Sequence, residues 1–88
     1  MKKYTFIAEY RGGTYISQYV TLSIENALVE WVNNLDSKYF SHHKKKLLRK
    51  EIVDVDFPPL PIDGVDKVWC GCYLSGKYFL LLNIIETA

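Results

Sequence analysis

Two short motifs hold the residue types that most often carry out chemistry in proteins. One is Cys70-Gly71-Cys72, and the other is His42-His43, which three lysines follow. Together they offer four potential zinc ligands, but the cysteines lack the spacer of about two to four residues that tetrahedral zinc sites use. The adjacent histidines are also not one helical turn apart. The sequence therefore predicts no metal site and no cofactor.

The two cysteines are predicted to be reduced core thiols. An extended backbone holds their side chains on one face about 7 Å apart, which is too far for a disulfide. Phe79 and Leu81 are expected beside them on that face. A cysteine nucleophile needs an exposed, electropositive setting, so this apolar setting argues against one.

His42 or His43 could act as a general acid in a small ribonuclease, with the following lysines as phosphate binders. Nothing in the sequence orients either imidazole, so a solvated helix face is the simpler interpretation. The sequence has no glycine-rich phosphate loop and no Gly-x-Ser-x-Gly motif. We predict that the protein is not an enzyme.

Charge is segregated along the chain. The segment 38–50 is basic and lacks acids, and 51–66 is acidic and lacks bases. A basic run binds nucleic acid by releasing counterions from phosphates, so RNA or DNA binding is the alternative function. The overall net charge of +1 and the neighbouring acids weigh against it. The candidate nucleic-acid contacts are Lys44, Lys45, Lys46, Arg49 and Lys50.

The acids suggest a protein partner instead. On an irregular loop they could act as counter-charges to a cationic surface, such as the active site of a nuclease. A solvated connector that balances the lysines is the other interpretation. The candidate partner-binding residues are Asp54, Asp56, Asp63 and Asp66.

The elements that would position these residues begin with 68–85, which reads as two strands joined at Ser75-Gly76. This turn would place Leu74 opposite Lys77 and Cys72 opposite Phe79. Both faces of the hairpin are apolar. Either the chain covers both, or something outside the chain covers one.

A second hairpin is predicted where 4–10 and 14–20 flank a turn at Gly12-Gly13. Tyrosines crowd one of its faces. They form either a ladder of packed rings or a stacking platform for bases or a partner's side chains.

Ser23 is a predicted N-cap for an amphipathic helix over 24–35. A shorter helix over 41–50 would be anchored by Phe40, Leu47 and Leu48, and an extended piece containing Ile52, Val53 and Val55 would follow it. Pro58-Pro59 marks a loop or a sheet edge. The predicted fold is α+β: an antiparallel four-stranded sheet of two hairpins, in the order β-β-α-(α)-loop-β-β, with a helix packed on one face.

The length of the chain and its N-terminal residues limit the number of domains and the expected location in the cell. A chain of 88 residues makes a single domain, 1–88. Polar residues interrupt the apolar run after Met1 before a signal peptide forms, and the longest apolar stretch is far too short to span a bilayer. We therefore expect a cytoplasmic protein without a membrane partner.

The opening 4–18, followed by Ala27-Leu28-x-x-Trp31, resembles the start of HicB-type antitoxins over about the first third of the chain. Those antitoxins normally carry a third strand next and often a C-terminal DNA-binding segment, and this chain departs from both. Size and aromatic content resemble the small bacterial immunity proteins made against polymorphic and contact-dependent inhibition toxins. These resemblances imply a non-enzymatic protein that occludes a toxin.

Helix 24–35 can cover one face of the sheet, and the segment after it offers few apolar side chains. One face of the C-terminal hairpin is therefore predicted to remain open. An exposed apolar patch of a few hundred Å² on a globular domain usually marks an interface. We expect a homodimer, or a stable complex with a protein partner, to bury it.

Overall fold

A computed structural model describes residues 1–53 and 58–87 of the chain. In this part of the chain, two α-helices cover one face of a five-stranded antiparallel sheet. The elements are β1 (Lys2–Tyr10), β2 (Gly13–Thr21), α1 (Ile24–Asn33), α2 (His42–Ile52), β3 (Leu60–Pro61), β4 (Val68–Ser75) and β5 (Tyr78–Glu86). The strand order is β2-β1-β5-β4-β3. The α+β class and the antiparallel sheet are confirmed, and the predicted four strands omitted β3.

The β1–β2 turn consists of Arg11 and Gly12, not of the predicted Gly12-Gly13. Both turn residues have positive φ, 51° and 80°, as a type I′ turn requires. The Arg11 guanidinium lies 4.4 Å from the centre of the Tyr78 ring, which stabilises a conformation that arginine rarely adopts. Gly13 is instead the first residue of β2, where a Cβ would collide with the Tyr15 ring.

The β4–β5 turn is also displaced from its predicted position. Gly76 and Lys77 form it, and Gly76 has the positive φ. Leu74 consequently lies opposite Phe79, not opposite Lys77. In both hairpins the pairing is shifted by two residues from the prediction. Because side chains alternate with a period of two, the predicted faces survive this shift.

The tyrosine-rich face of β1 packs beneath the helices, so the tyrosine-platform interpretation is wrong for Tyr4 and Tyr10, which are buried. Phe6 stacks on Trp31 of α1 at 5.7 Å between ring centres. The buried residues form one cluster: Tyr4, Phe6, Ala8, Tyr10, Ala27, Leu28, Trp31, Val32, Phe40, Leu48, Ile52, Tyr73, Leu80, Leu82 and Ile84.

The predicted N-cap of α1 is confirmed, because the Ser23 hydroxyl accepts a hydrogen bond from the Asn26 N–H. The helix ends at Asn33, two residues before its predicted end. Asn34 ends it by donating its side-chain amide to the Glu30 carbonyl at 2.9 Å. Leu35 still packs against the core from outside the helix.

The second helix is longer than predicted. Ser41 caps it, and it continues to Ile52, so the prediction of an extended segment at Ile52 is wrong. Ile52 and Leu48 are one helical turn apart and both are buried, whereas the predicted anchor Leu47 is exposed. Val55, also predicted to be extended, lies outside the described residues. Neither of the two helices described is long and apolar enough to cross a membrane.

The sheet should tolerate loss of a side chain very differently on its two faces. Leu82 is fully buried beneath the helices, and Leu74 is 53% exposed on the opposite face. We expect Leu82→Ala to lower the free energy of unfolding by about 2–5 kcal/mol, since it leaves a cavity. Leu74→Ala, the matched control, should cost less than about 1 kcal/mol. Urea denaturation measures both, and equal losses would contradict this assignment of faces.

Candidate functional site

The sheet face opposite the helices is uncovered in the described structure, and we call it the open face. Large apolar side chains project from it: Phe79 is 70% exposed and Ile16 is 68% exposed. Strand alternation assigns the following residues of the four long strands to this face: Lys3, Thr5, Ile7, Glu9, Thr14, Ile16, Gln18, Val20, Val68, Cys70, Cys72, Leu74, Phe79, Leu81, Asn83 and Ile85. The prediction that one face of the C-terminal hairpin remains open is confirmed.

The open face has an apolar end and a more polar end. Leu74, Phe79 and Leu81 cluster beside the β4–β5 turn, with Cys72 opposite Leu81. At the other end, the Gln18 amide donates to the Thr5 hydroxyl at 3.0 Å. Leu74 and Phe79 thus form an exposed apolar cluster beside this turn.

The open face is large enough for recognition. Four long strands at about 4.8 Å spacing give a width near 19 Å, so an area on the order of 500 Å² is available. Exposed apolar patches on monomeric proteins are often functional. The face extends across both hairpins because β1 pairs with β5, a pairing that neither hairpin sequence reveals on its own.

Cys70 and Cys72 lie on the open face, so the prediction of core thiols is wrong. Cys72 is exposed, Cys70 is half-buried, and both are free thiols. The expected neighbour Leu81 does lie opposite Cys72, but no helix covers either residue. Residues 1–53 and 58–87 contain no group of three or more histidine, cysteine or acidic side chains placed to hold a metal ion.

The predicted acidic site is described only in part. Asp63 and Asp66 are exposed in the turn between β3 and β4. That turn is held by a hydrogen bond from the Ile62 N–H to the Val68 carbonyl. Asp54 and Asp56 lie outside the described residues. A role for any of the four in binding stays a prediction.

The predicted basic residues divide among different sides of α2. Lys45, Lys46 and Arg49 line a shallow depression of about 540 Å³ together with His42 and Asn33. The Lys45 ammonium donates to the Asn33 carbonyl at 3.3 Å, which ties α2 to the end of α1. Lys44 and Lys50 belong to the same helix but do not line the depression. Among the described residues, no ion pair joins a cation of α2 to an acid.

A buried tyrosine lies behind the open face. The Tyr73 side chain points to the helix side of β4 and passes over Gly71, where a Cβ would collide with the ring. Its hydroxyl has no hydrogen-bond partner among the described residues. Burial, reinforced by the negative charge of Glu51, raises the pKa of Tyr73 well above its ordinary value. Burial also raises the pKa of Tyr4.

These raised pKa values predict a loss of stability in alkali. Above pH about 10 an unfolded tyrosine releases its proton while folded Tyr73 retains it, so the free energy of unfolding falls as pH rises. Tyr73→Phe should be nearly neutral at pH 7, because the hydroxyl lacks a partner among the residues described, and should reduce the alkaline loss of stability. Tyr15→Phe, a matched change at an exposed ring, should retain the full loss. Thermal unfolding at several pH values measures the effect. If the unfolding temperature of Tyr73→Phe falls with pH as steeply as that of the unchanged protein, the prediction is contradicted.

Comparisons of the chain with protein-family models, with curated proteins and with solved structures found no match. The resemblances to HicB-type antitoxins and to immunity proteins therefore stay predictions from the sequence.

Proposed function

We propose that this protein is a non-enzymatic protein-binding module that neutralises a partner by occluding its surface. In its most concrete form it is a bacterial immunity protein or antitoxin that acts on a toxin in the cytoplasm. The observation that carries the proposal is the apolar end of the open face. Leu74 and Phe79 are more than half exposed there, beside the turn that joins β4 to β5.

The core does not require these side chains. Leu80, Leu82 and Ile84 already fill the helix-side face of β5, and the alternating residues could be polar, as on most sheets that face water on one side. They are instead phenylalanine, leucine and isoleucine, apart from Asn83. Buried aromatic and aliphatic anchors supply most of the affinity in protein interfaces.

The acids would contribute mainly to the rate of association. Asp63 and Asp66 are exposed, and exposed charges steer an oppositely charged partner over about 10 Å at ordinary ionic strength. With Asp54 and Asp56 they would present a negative segment to a cationic partner such as a nuclease. Replacing them should therefore slow association more at low salt than at high salt.

Leu74→Lys tests the proposal, with Leu47→Lys as its matched control. The two leucines are 53% and 54% exposed, but Leu47 lies on α2, away from the open face. Where a toxin-domain gene lies immediately upstream of this one, its purified product is the ligand. Calorimetric titration should show that Leu74→Lys weakens binding at least tenfold, about 1.4 kcal/mol, because a charge replaces an anchor. Leu47→Lys should change affinity less than about twofold on the same scale.

The same variants should separate in cells that express the toxin domain. Unchanged protein and Leu47→Lys should restore growth, and Leu74→Lys should restore it less well. If Leu74→Lys and Phe79→Lys both bind and protect like the unchanged protein, the open face is not the binding surface.

Nucleic-acid binding is the second candidate function, and the depression on α2 favours it. Its three cations are without ion pairs among the described residues, so their field is available to phosphates. The net charge of +1 limits attraction at long range. Binding would therefore be weak and non-specific.

Two double variants with the same loss of charge test this alternative. Lys46→Ala with Arg49→Ala removes cations from the depression, and Lys44→Ala with Lys50→Ala removes them elsewhere on the same helix. Fluorescence anisotropy with single-stranded RNA should give a salt slope reduced by about two charges in the first variant and by less in the second. No detectable binding at about 50 mM salt would exclude the alternative.

A further inference from the structure

The two lateral edges of the sheet differ in how they are protected. One edge consists of the two-residue β3 and of residues 71–75 of β4, which β3 does not cover, so its free backbone is shorter than that of β2. Pro61 at the end of β3 has no N–H for a further strand. The β2 edge is nine residues long, pairs regularly with β1, and contains no proline and no charged side chain. Short length, proline and charged side chains are common on edge strands, because these features prevent pairing with other chains. Of the two edges, β2 is therefore the one suited to accept another strand.

The hairpin turn determines which backbone groups of β2 point outward. Tyr10 and Gly13 close a two-residue turn and exchange both hydrogen bonds, as does every second pair after them. The Thr87 N–H donates to the Lys3 carbonyl at 2.7 Å, so odd-numbered residues of β1 bond towards β5. Their partners on β2 must direct N–H and C=O groups away from the sheet. Those partners are Thr14, Ile16, Gln18 and Val20.

We propose that β2 pairs antiparallel with β2 of a second copy of this chain, around a two-fold axis at Ser17. Ile16 then lies opposite the partner subunit's Gln18, and Thr14 opposite the partner subunit's Val20. Each of these pairs exchanges two hydrogen bonds, so every outward residue of both strands is used. An axis at residue 16 would leave Val20 without a strand partner, and an axis at residue 18 would leave Thr14 without one.

The side chains match in the same register. Tyr15 lies opposite the partner subunit's Tyr19, and symmetry repeats this aromatic pair on the other side of the axis. Tyr15 is half exposed beside a cleft of about 210 Å³ between β2 and the segment after α1, so its ring has space to meet another. The β-branched Thr14 and Val20 pair on the open face. No charge of β2 opposes another, because the strand has none.

This pairing is closed. The two-fold contact uses the β2 edge of both copies, so the same contact cannot repeat. Association through β2 therefore stops at a dimer and does not continue into a filament. The contact is confined to one edge and falls at the small end of interface sizes, below about 1,200 Å². We expect a reversible dimer with a micromolar dissociation constant.

Sedimentation velocity on the full chain, from about 1 to 200 µM, tests the dimer by mass action. Gln18→Pro removes an outward N–H and leaves the backbone hydrogen bonds to β1 intact, so it should raise the dissociation constant at least tenfold. Ile16→Lys, at an exposed position, is a second blocking variant that does not disturb the backbone. Leu74→Lys should dimerise normally, which separates this proposal from the binding of a partner at the apolar end. A chain that stays monomeric throughout, or a dimer that neither blocking variant weakens, would overturn the proposal.

A cysteine placed on the axis tests the register. In a Cys70→Ser, Cys72→Ser background, Ser17→Cys should form a covalent dimer on mild oxidation, because directly opposed residues of this kind have Cα atoms about 4.5 Å apart. Gln18→Cys is the control, since its two copies are offset along the strands by two residues and lie more than about 7 Å apart. A cross-link that forms equally in both variants, or in neither, would overturn the pairing around Ser17.

Discussion

Within residues 1–53 and 58–87, helices cover one face of the sheet only, and the rest of the structure depends on this constraint. Helix α1 packs over β1 and β2, and α2 packs over β4. Phe6 contacts Trp31 of α1, and Tyr10 contacts Phe40, which precedes α2, with 4.9 Å between ring centres. Small residues at Ala8 and Ala27 are fully enclosed in this layer. The core is complete on that side, and the apolar residues of the other side contribute little to it. These residues form the surface on which the proposed function rests.

The alternation of side chains between the two faces of the sheet could be predicted from the sequence. The register in which the strands pair could not. Both hairpins, the face each residue occupies and the capped first helix follow from local patterns. The turn positions were wrong by the same amount in both hairpins. In the first, the turn depends on Arg11 stacking against Tyr39 and Tyr78, and these contacts come from distant parts of the chain. Local propensity favoured the two glycines, and tertiary packing decided otherwise.

The residues of the candidate site could be predicted from the sequence, but whether the helices cover them could not. The sequence placed Cys72, Phe79 and Leu81 together, yet it could not say which face the helices would cover. That choice is made by the tyrosines and phenylalanines of β1, which outnumber the apolar residues on its opposite side. The sequence also could not show which cations of the basic segment lie together. The buried residues Leu48 and Ile52 determine the rotation of α2 about its axis, and this rotation decides which cations line the depression.

The central position of β1 has a consequence for how the chain folds during synthesis. During synthesis β1 leaves the ribosome well before its second neighbour, β5, which ends at Glu86. Until residue 86 emerges, β1 can pair with β2 alone, and the side chains of Phe6 and Ala8 lack the strand beside them. Contacts between such distant segments form slowly, because a long loop must close first. We expect the N-terminal hairpin and α1 to form a partly exposed folding intermediate. The fold is completed when β5 of the C-terminal hairpin pairs with β1.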